Sequence, residues 1–241
     1  MKYIKIILLV IIGLVFSSCS VDDTDLTIRD MVFGEDDPIL ATAKNYNAYG
    51  ATNRQNIFWE NFDNNTRNWP VGYSNNFYFR AINGGVYHLM GSSGLSATNS
   101  GFNILPTLNT TGNYEIEIRF KIIQNGTSGI KYKFVLANTS TSYSNRLEII
   151  NDDTNGNLNF TNFPSNDSNR NRYFDTTVTY NSPNGFDKLT LRKINNKWIV
   201  FFNELYIKQL NSINIATNYF SFYTSKEAQI DFIKYDNLIN L

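Results

Sequence analysis

The sequence predicts an all-β protein, an antiparallel β-sandwich that follows an export signal and a tether. After about residue 55, apolar and polar residues alternate over short segments, and no segment sustains a helical period. Polar dipeptides such as Asn-Gly separate the segments, and these suit tight hairpin turns. About a dozen short strands joined by polar turns are typical of an antiparallel sandwich.

The N-terminus has the pattern of a lipoprotein signal peptide over residues 1–18. Met-Lys-Tyr-Ile-Lys precedes an apolar run of about eleven residues, too short for a membrane-spanning helix, which needs roughly twenty. Small residues, Ser17 and Ser18, then precede Cys19, the single cysteine. This arrangement predicts secretion, and Val-Phe-Ser-Ser-Cys resembles a bacterial lipobox, so Cys19 is expected to carry the lipid. The alternative is a stray cysteine beside an ordinary cleavage site.

Residues 19–54 show no clear period and are expected to form a largely irregular tether. The acidic stretch at 20–25 resembles the surface-export signal of Bacteroidota lipoproteins, although a solvated acidic linker would look the same. We therefore expect a lipid-anchored protein of the outer membrane, exposed at the cell surface. The 21 basic and 21 acidic residues balance, which argues against nucleic acid as a partner.

The sandwich itself is expected over residues 55–241. Trp59 is placed in the core of the first strand of the sandwich. Trp69 is expected to cap one end of the sandwich, because a buried tryptophan contributes a large apolar surface. Stacking on a ligand is the alternative role for Trp69.

The segment Tyr-Glu-Ile-Glu-Ile-Arg-Phe-Lys-Ile at 114–122 shows the clearest alternation. Such alternation predicts a strand with one buried face. The residues expected toward the core are Ile116, Ile118 and Phe120, and those expected in solvent are Glu115, Glu117 and Arg119. Turns are predicted at Asn83-Gly84-Gly85, Asn155-Gly156, Asn184-Gly185 and Asn195-Asn196.

Several stretches in a fixed order resemble the concanavalin A-like, laminin-G-type jelly rolls of exported bacterial proteins. They are FWENFDNNTRNWPVG, AINGGVYHL, YEIEIRFKI, RLEIINDDTNGNLNF, FDKLTLRKINNKWIVFFNELYI and IDFIKYDNLI. These jelly rolls are fold relatives of the family 16 glycoside hydrolases and of the 3-keto-disaccharide hydrolase domain. The resemblance covers about residues 56–241. It implies that the terminal strand, which carries Phe232 and Asp236, returns beside the first strand and Trp59.

Family 16 enzymes carry their acids on one strand as Glu-x-Asp-x-(x)-Glu. The nearest match begins at Glu115, with Glu117 as the middle acid and Arg119 or Phe120 in place of the last one. Because glycoside hydrolysis needs two carboxyl groups in different protonation states, no catalytic residue is predicted and a non-enzyme is favoured.

Candidate ligand-binding residues are aromatic or cationic side chains near predicted turns: Trp69, Tyr73, His88, Arg170 and Arg172. A solvated loop is the alternative for the two arginines. His88 is the single histidine, so no zinc site is predicted and a plain strand position is its alternative.

Asn151, Asp153 and Asn155, followed by Gly156, resemble the first half of a calcium loop. The twelfth position, which should be acidic, is Asn162. A hairpin turn explains the same residues, so no cofactor is predicted, although a structural calcium ion near Asp153 stays open as the weaker alternative.

Three hypotheses follow for function. The first is a lipid-anchored, non-catalytic jelly-roll module that binds glycan or an envelope protein. The second is an exported glycoside hydrolase or related sugar-cleaving enzyme. The third is a structural subunit of an outer-membrane assembly.

Overall fold

The computed structural model describes residues 37–74, 78–91, 98–102, 112–123, 130–137, 146–152, 157–163, 171–177, 185–210, 219–224 and 227–241. Cys19, Asp153 and Arg170 lie outside the described residues, together with the predicted signal peptide and the first half of the predicted tether. In the part that is described, no helix combines the length and apolarity needed to cross a membrane.

The described elements are one short helix, two 3-10 turns and a series of strands. The helix α1 is Pro38–Ala43, and the turns are Tyr46–Ala48 and Ala51–Asn53. The strands are β1 Arg54–Glu60, β2 Gly72–Ser74, β3 Tyr78–Asn83, β4 Val86–Gly91, β5 Thr98–Phe102, β6 Tyr114–Ile123, β7 Ile130–Ala137, β8 Arg146–Asp152, β9 Asn157–Phe163, β10 Asn171–Thr177, β11 Asp187–Ile194, β12 Lys197–Phe202, β13 Leu205–Leu210, β14 Tyr219–Thr224 and β15 Glu227–Leu238.

The strands form two sheets. Sheet I has nine strands in the order β13-β12-β11-β6-β15-β4-β3-β2, with β1 paired to β15, and sheet II has the order β10-β9-β8-β7-β14-β5. All pairings within the described residues are antiparallel. The predicted all-β, antiparallel architecture is confirmed, and so is the return of the last strand beside the first.

The main core combines apolar side chains of both sheets. Ile116, Ile118 and Phe120 of β6 are at most 1% exposed, which confirms the predicted inward stripe. Phe120 meets Phe134 of sheet II edge-on, with ring centroids 5.1 Å apart, and Phe222 lies 4.9 Å from Phe134. Burying such rings removes apolar surface from water and supplies most of the driving force for folding.

Two-residue turns close two of the predicted hairpins, whereas Asn155-Gly156 and Asn184 lie outside the described residues. Gly84 and Gly85 have φ values of +61° and +72° between β3 and β4. Asn195 and Asn196 have φ values of +48° and +63° between β11 and β12. Two successive left-handed residues are the mark of a type I′ turn, which matches the twist of the flanking strands.

A bulge in β1 sets the direction of the first tryptophan. The register against β15 shifts between Asn56 and Phe58, and the bulge turns Phe58 into the core, where it is 3% exposed. Trp59 consequently points outward and is 43% exposed. The prediction that Trp59 lies in the core is therefore wrong, because one extra residue in a strand exchanges the two faces. Its predicted position beside the last strand is confirmed by its pairing with Lys234.

Residues 38–53, called the strap from here on, fold onto the outer face of sheet I. Leu40 and Ala43 of α1 are 5% and 0% exposed. They share a second apolar cluster with Ile199 and Phe201 of β12 and with Leu238 of β15. The compact unit spans Pro38–Leu241, so the strap packs with the sandwich.

Candidate functional site

The outer face of β6 is largely covered by the strap. Glu115 is 1% exposed and Glu117 is 7% exposed, so the prediction that both lie in solvent is wrong. Arg119, the third charged side chain of this face, is exposed as predicted and pairs with Asp231 at 2.8 Å. The difference arises because the strap packs over the positions of Glu115 and Glu117, a contact that alternation within β6 cannot reveal.

Arg192 of β11 joins the strap to the sheet, and its side chain is fully buried. Its Nε donates to Glu115 Oε2 at 2.5 Å. The remaining guanidinium nitrogens donate to backbone carbonyls of the strap, those of Ala43 at 2.5 Å, Asn45 at 2.8 Å and Tyr46 at 2.8 Å. A cation that donates hydrogen bonds to the carbonyls at and just beyond the C-terminal end of a helix stabilises that end. This arginine therefore fixes the strap in place.

Glu117 is held by hydroxyl groups. The Tyr46 hydroxyl donates to Glu117 Oε1 at 2.5 Å, and the Thr190 hydroxyl donates to the same oxygen at 3.3 Å. Lys188 Nζ donates to the Tyr46 hydroxyl and to Glu204, each at 2.6 Å. Burial, together with the Glu117 carboxylate, raises the pKa of Tyr46, so this phenol stays protonated at neutral pH and keeps donating.

Asp236 of β15 accepts hydrogen bonds from three side chains next to the strap. Its Oδ1 accepts from Asn56 Nδ2 at 2.8 Å. Its Oδ2 accepts from Lys234 Nζ at 2.5 Å and from Arg54 at 3.2 Å. Arg54 also pairs with Glu115, so one guanidinium bridges the two carboxylates.

A pocket of about 490 Å³ lies above Asp236, between the strap and β1. It is lined by Tyr49, Gly50, Ala51, Arg54, Asn56, Trp59, Lys234 and Asp236. Its volume falls within the range of small-molecule sites, and a few convergent polar groups beside apolar surface are typical of them.

Trp59 lines this pocket and stacks on Phe232, which is half-buried. Their ring centroids are 5.0 Å apart and the ring planes differ by 24°, a stacked arrangement. Phe232 follows a second register shift, in β15 between Ile230 and Phe232. The two bulges together bring both rings onto the outer face of sheet I.

The loop after β1 is built around a buried carboxylate rather than a ligand. Glu60 is 6% exposed and accepts from the indole Nε1 of Trp69 at 2.6 Å and from the backbone N–H of Phe62 at 2.8 Å. Trp69 is 6% exposed and meets Phe62 edge-on at 5.1 Å. Its predicted capping role fits this geometry, whereas its alternative role in ligand stacking does not.

Two of the other predicted ligand residues lie on the same outer face as Trp59. Tyr73 on β2 is 79% exposed, and its ring lies 5.1 Å from that of Phe79. His88 on β4 points outward between the buried Tyr87 and Leu89. The structure therefore places Tyr73 and His88 beyond the pocket, toward the β2 edge of sheet I.

Of the two predicted arginines, the one that the structure describes does not join this site. Arg172 is in β10, at the edge of sheet II, and Arg170 lies outside the described residues. No group of His, Cys, Asp and Glu side chains among the described residues could hold a metal ion, while the weaker calcium alternative at Asp153 falls outside them.

Solved structures with a similar fold include two sugar-cleaving enzymes and one phage module. A GlcNAcα1-4Gal-releasing endo-β-galactosidase from Clostridium perfringens has a TM-score of 0.57 at 11% identity, over 79% of this chain and 64% of that one. A β-glucanase from Bacillus licheniformis has a TM-score of 0.51 at 12% identity, over 74% and 96%. The CBM2 module of the evolved Dit protein of Lactobacillus casei BL23 phage J-1 has a TM-score of 0.53 at 10% identity, over 78% and 98%.

No family model and no curated protein matches this chain. At these identities the solved structures define the fold alone. The chain has a concanavalin A-like jelly-roll fold, as its sequence resemblance implies.

Sequence reasoning missed the residues that define the pocket: Arg54, Asn56, Lys234 and the strap residues 49–51. Asp236 was expected beside the first strand, but with no ligand role. The available signal was the pairing of the first and last strands, which brings Arg54 next to Leu238 and Asn56 next to Asp236. The strap itself gave no periodic signal, because a six-residue helix is too short to show one.

Proposed function

We propose that this domain is a non-catalytic glycan-binding module of a lipid-anchored envelope protein. The observation that carries the proposal is Trp59, which is 43% exposed, stacks on Phe232 and lines a pocket that contains Lys234 and Asp236. The apolar C–H faces of a sugar ring pack on aromatic rings, while its hydroxyl groups pair with charged and amide side chains. The pocket offers both kinds of contact within a single site.

The state of the carboxylates supports binding rather than hydrolysis. A glycosidase places two carboxyl groups about the bond to be cleaved, one as an acid and one as a base or nucleophile. The side chain of Glu115 is fully buried between Arg54 and Arg192. Glu117 lies beneath the strap and accepts from Tyr46. Neither carboxylate offers a face to a sugar while the strap is in place.

The similar solved structures support a glycan as the class of ligand. Two of them are named for activity on β-glucan or on a galactoside, so the fold is one on which sugar sites have been built. Fold alone does not define activity, and the ligand assignment rests on the Trp59 pocket. The anchor and the outer-membrane surface location follow from the lipobox-like stretch ending at Cys19 and the acidic residues after it.

A glycan array followed by calorimetry tests this proposal on residues 20–241, which include the strap. Trp59→Ala should weaken binding of the best glycan at least about tenfold, or about 1.4 kcal/mol. Tyr206→Ala is the matched control, because Tyr206 is also 43% exposed on sheet I but belongs to β13 at the far edge. Its affinity should stay within about twofold of the wild type.

Other results would favour the other two hypotheses. Sugar hydrolysis that disappears in Glu115→Gln or Glu117→Gln would establish an enzyme. If no glycan binds and cross-linking recovers a specific envelope protein, the structural-subunit hypothesis replaces this proposal.

A further inference from the structure

One row of cross-strand partners in sheet I shows where the cover provided by the strap stops. Thr190, Glu117, Lys234 and Trp59 are successive cross-strand partners on β11, β6, β15 and β1. The first two are buried, and Tyr46 of the strap lies over Glu117. The side chain of Lys234 is 24% exposed and Trp59 is 43% exposed. Covered surface therefore gives way to exposed surface at Lys234, one strand away from the tryptophan.

The strap residues Tyr49, Gly50 and Ala51 form the wall of the pocket on the covered side. Arg54 Nε donates to the Tyr49 carbonyl at 3.0 Å, which ties this wall to the start of β1. Gly50 has φ of −80° and ψ of −173°, an ordinary extended conformation. Apart from Gly50 and its two chain neighbours, no residue has an atom within 4 Å of the place where a Cβ would stand on Gly50, so this wall position faces open space.

The cations at the pocket and beneath it are all paired with carboxylates. Of the charged residues that line the pocket, Arg54 and Lys234 both pair with Asp236. Arg54 also pairs with the buried Glu115, which pairs in turn with Arg192. Because each of these cations already has a carboxylate partner, the site has no unpaired positive charge to select an acidic sugar.

Building on the proposed function, we propose that the pocket takes the terminal residues of a neutral glycan chain. An internal segment of a chain must continue away from the bound sugar in two directions. Here one direction is occupied by the strap, which is fixed by Arg192 and by its own apolar cluster. The free direction leads past Trp59 and Phe232, so the chain leaves the pocket over the aromatic pair.

The test uses residues 20–241 and neutral glucose- and galactose-based oligosaccharides, from disaccharide to hexasaccharide. Each is supplied with free ends and with one end or the other blocked by methylation. Affinity should stop rising after the first few sugars, and blocking one particular end should weaken binding at least about tenfold. Blocking the opposite end should change affinity less than about twofold.

Gly50→Trp places a large ring in the open space of the wall without backbone strain. Leu205→Trp is its matched control, because it adds the same ring at a 65% exposed position of β13, at the far edge of sheet I. Gly50→Trp should weaken binding at least about tenfold, and Leu205→Trp less than about twofold, with both melting close to the wild type. Affinity that is indifferent to blocking either end, or unchanged in Gly50→Trp, would overturn the chain-end inference even if Trp59→Ala still abolishes binding. Absence of binding to every oligosaccharide by the wild type would instead overturn the proposed function.

Discussion

Replacing Glu115 by Gln tests whether the buried ion network fastens the strap to the sheet. The substitution keeps the shape of the side chain and removes its charge. In the folded protein Glu115 accepts from both Arg54 and Arg192, and its side chain is fully buried. The variant therefore leaves the fully buried Arg192 guanidinium without a carboxylate partner, while Arg54 keeps only its pair with Asp236.

The expected loss of stability is about 3–5 kcal/mol, the usual cost of removing one partner from a buried ion pair. For a domain of this size, each kcal/mol lowers Tm by roughly 2–4 °C, so Tm should fall by roughly 6–20 °C. Glu204→Gln is the matched control, because Glu204 also pairs with a cation but its side chain is 54% exposed. Exposed pairs contribute about 0–1 kcal/mol.

Thermal melts and urea titrations of residues 20–241 measure both losses. The Glu115 variant should lose several times more free energy of unfolding than the Glu204 variant. Equal losses would show that Glu115 is solvated in solution and that the strap does not cover β6.

Two further predictions concern the core and the anchor. Ile118→Ala should lower the free energy of unfolding by about 2–5 kcal/mol, because Ile118 is 1% exposed in the main core. Arg119→Ala, on the opposite face of β6, should lower it by no more than about 1 kcal/mol, because the pair of Arg119 with Asp231 is exposed. Equal urea midpoints of the two variants would mean that the register of β6 is shifted by one residue. Cys19→Ala should abolish labelling by an alkyne fatty acid and release the protein from membranes, and persistent labelling of the variant would show that Cys19 is not the lipid site.

The sequence was sufficient for the parts of the fold that depend on local pattern. Asn195-Asn196 and Gly84-Gly85 adopt the left-handed turns expected of them, because the preference of these residues for positive φ is intrinsic. The inward stripe of β6 follows from a period of two, which one strand displays by itself.

The candidate site depends on two non-local features that no single segment displays. The bulge in β1 exchanges its faces, so Phe58 is buried and Trp59 is exposed. Size and hydrophobicity alone would have favoured Trp59 as the buried residue. Glu60 can face inward because its carboxylate accepts a hydrogen bond from the indole N–H of Trp69, nine residues farther along the chain.

The second feature is the strap. Charged residues at alternate positions of β6 normally mark a solvated face. Here the cover consists of residues 38–53, more than sixty positions before Glu115, and its attachment depends on Arg192, still farther along the chain. A buried charge is tolerated only with a paired partner, and sequence pattern does not reveal which arginine supplies it.

The most direct measurement of the central claim uses tryptophan fluorescence. The chain has three tryptophans, and Trp69 and Trp198 are 6% and 0% exposed. Iodide quenching should therefore report on Trp59 alone. Saturation with the best glycan from the array should protect this tryptophan from iodide. Glycan binding that leaves the quenching unchanged would contradict a site on the Trp59–Phe232 pair.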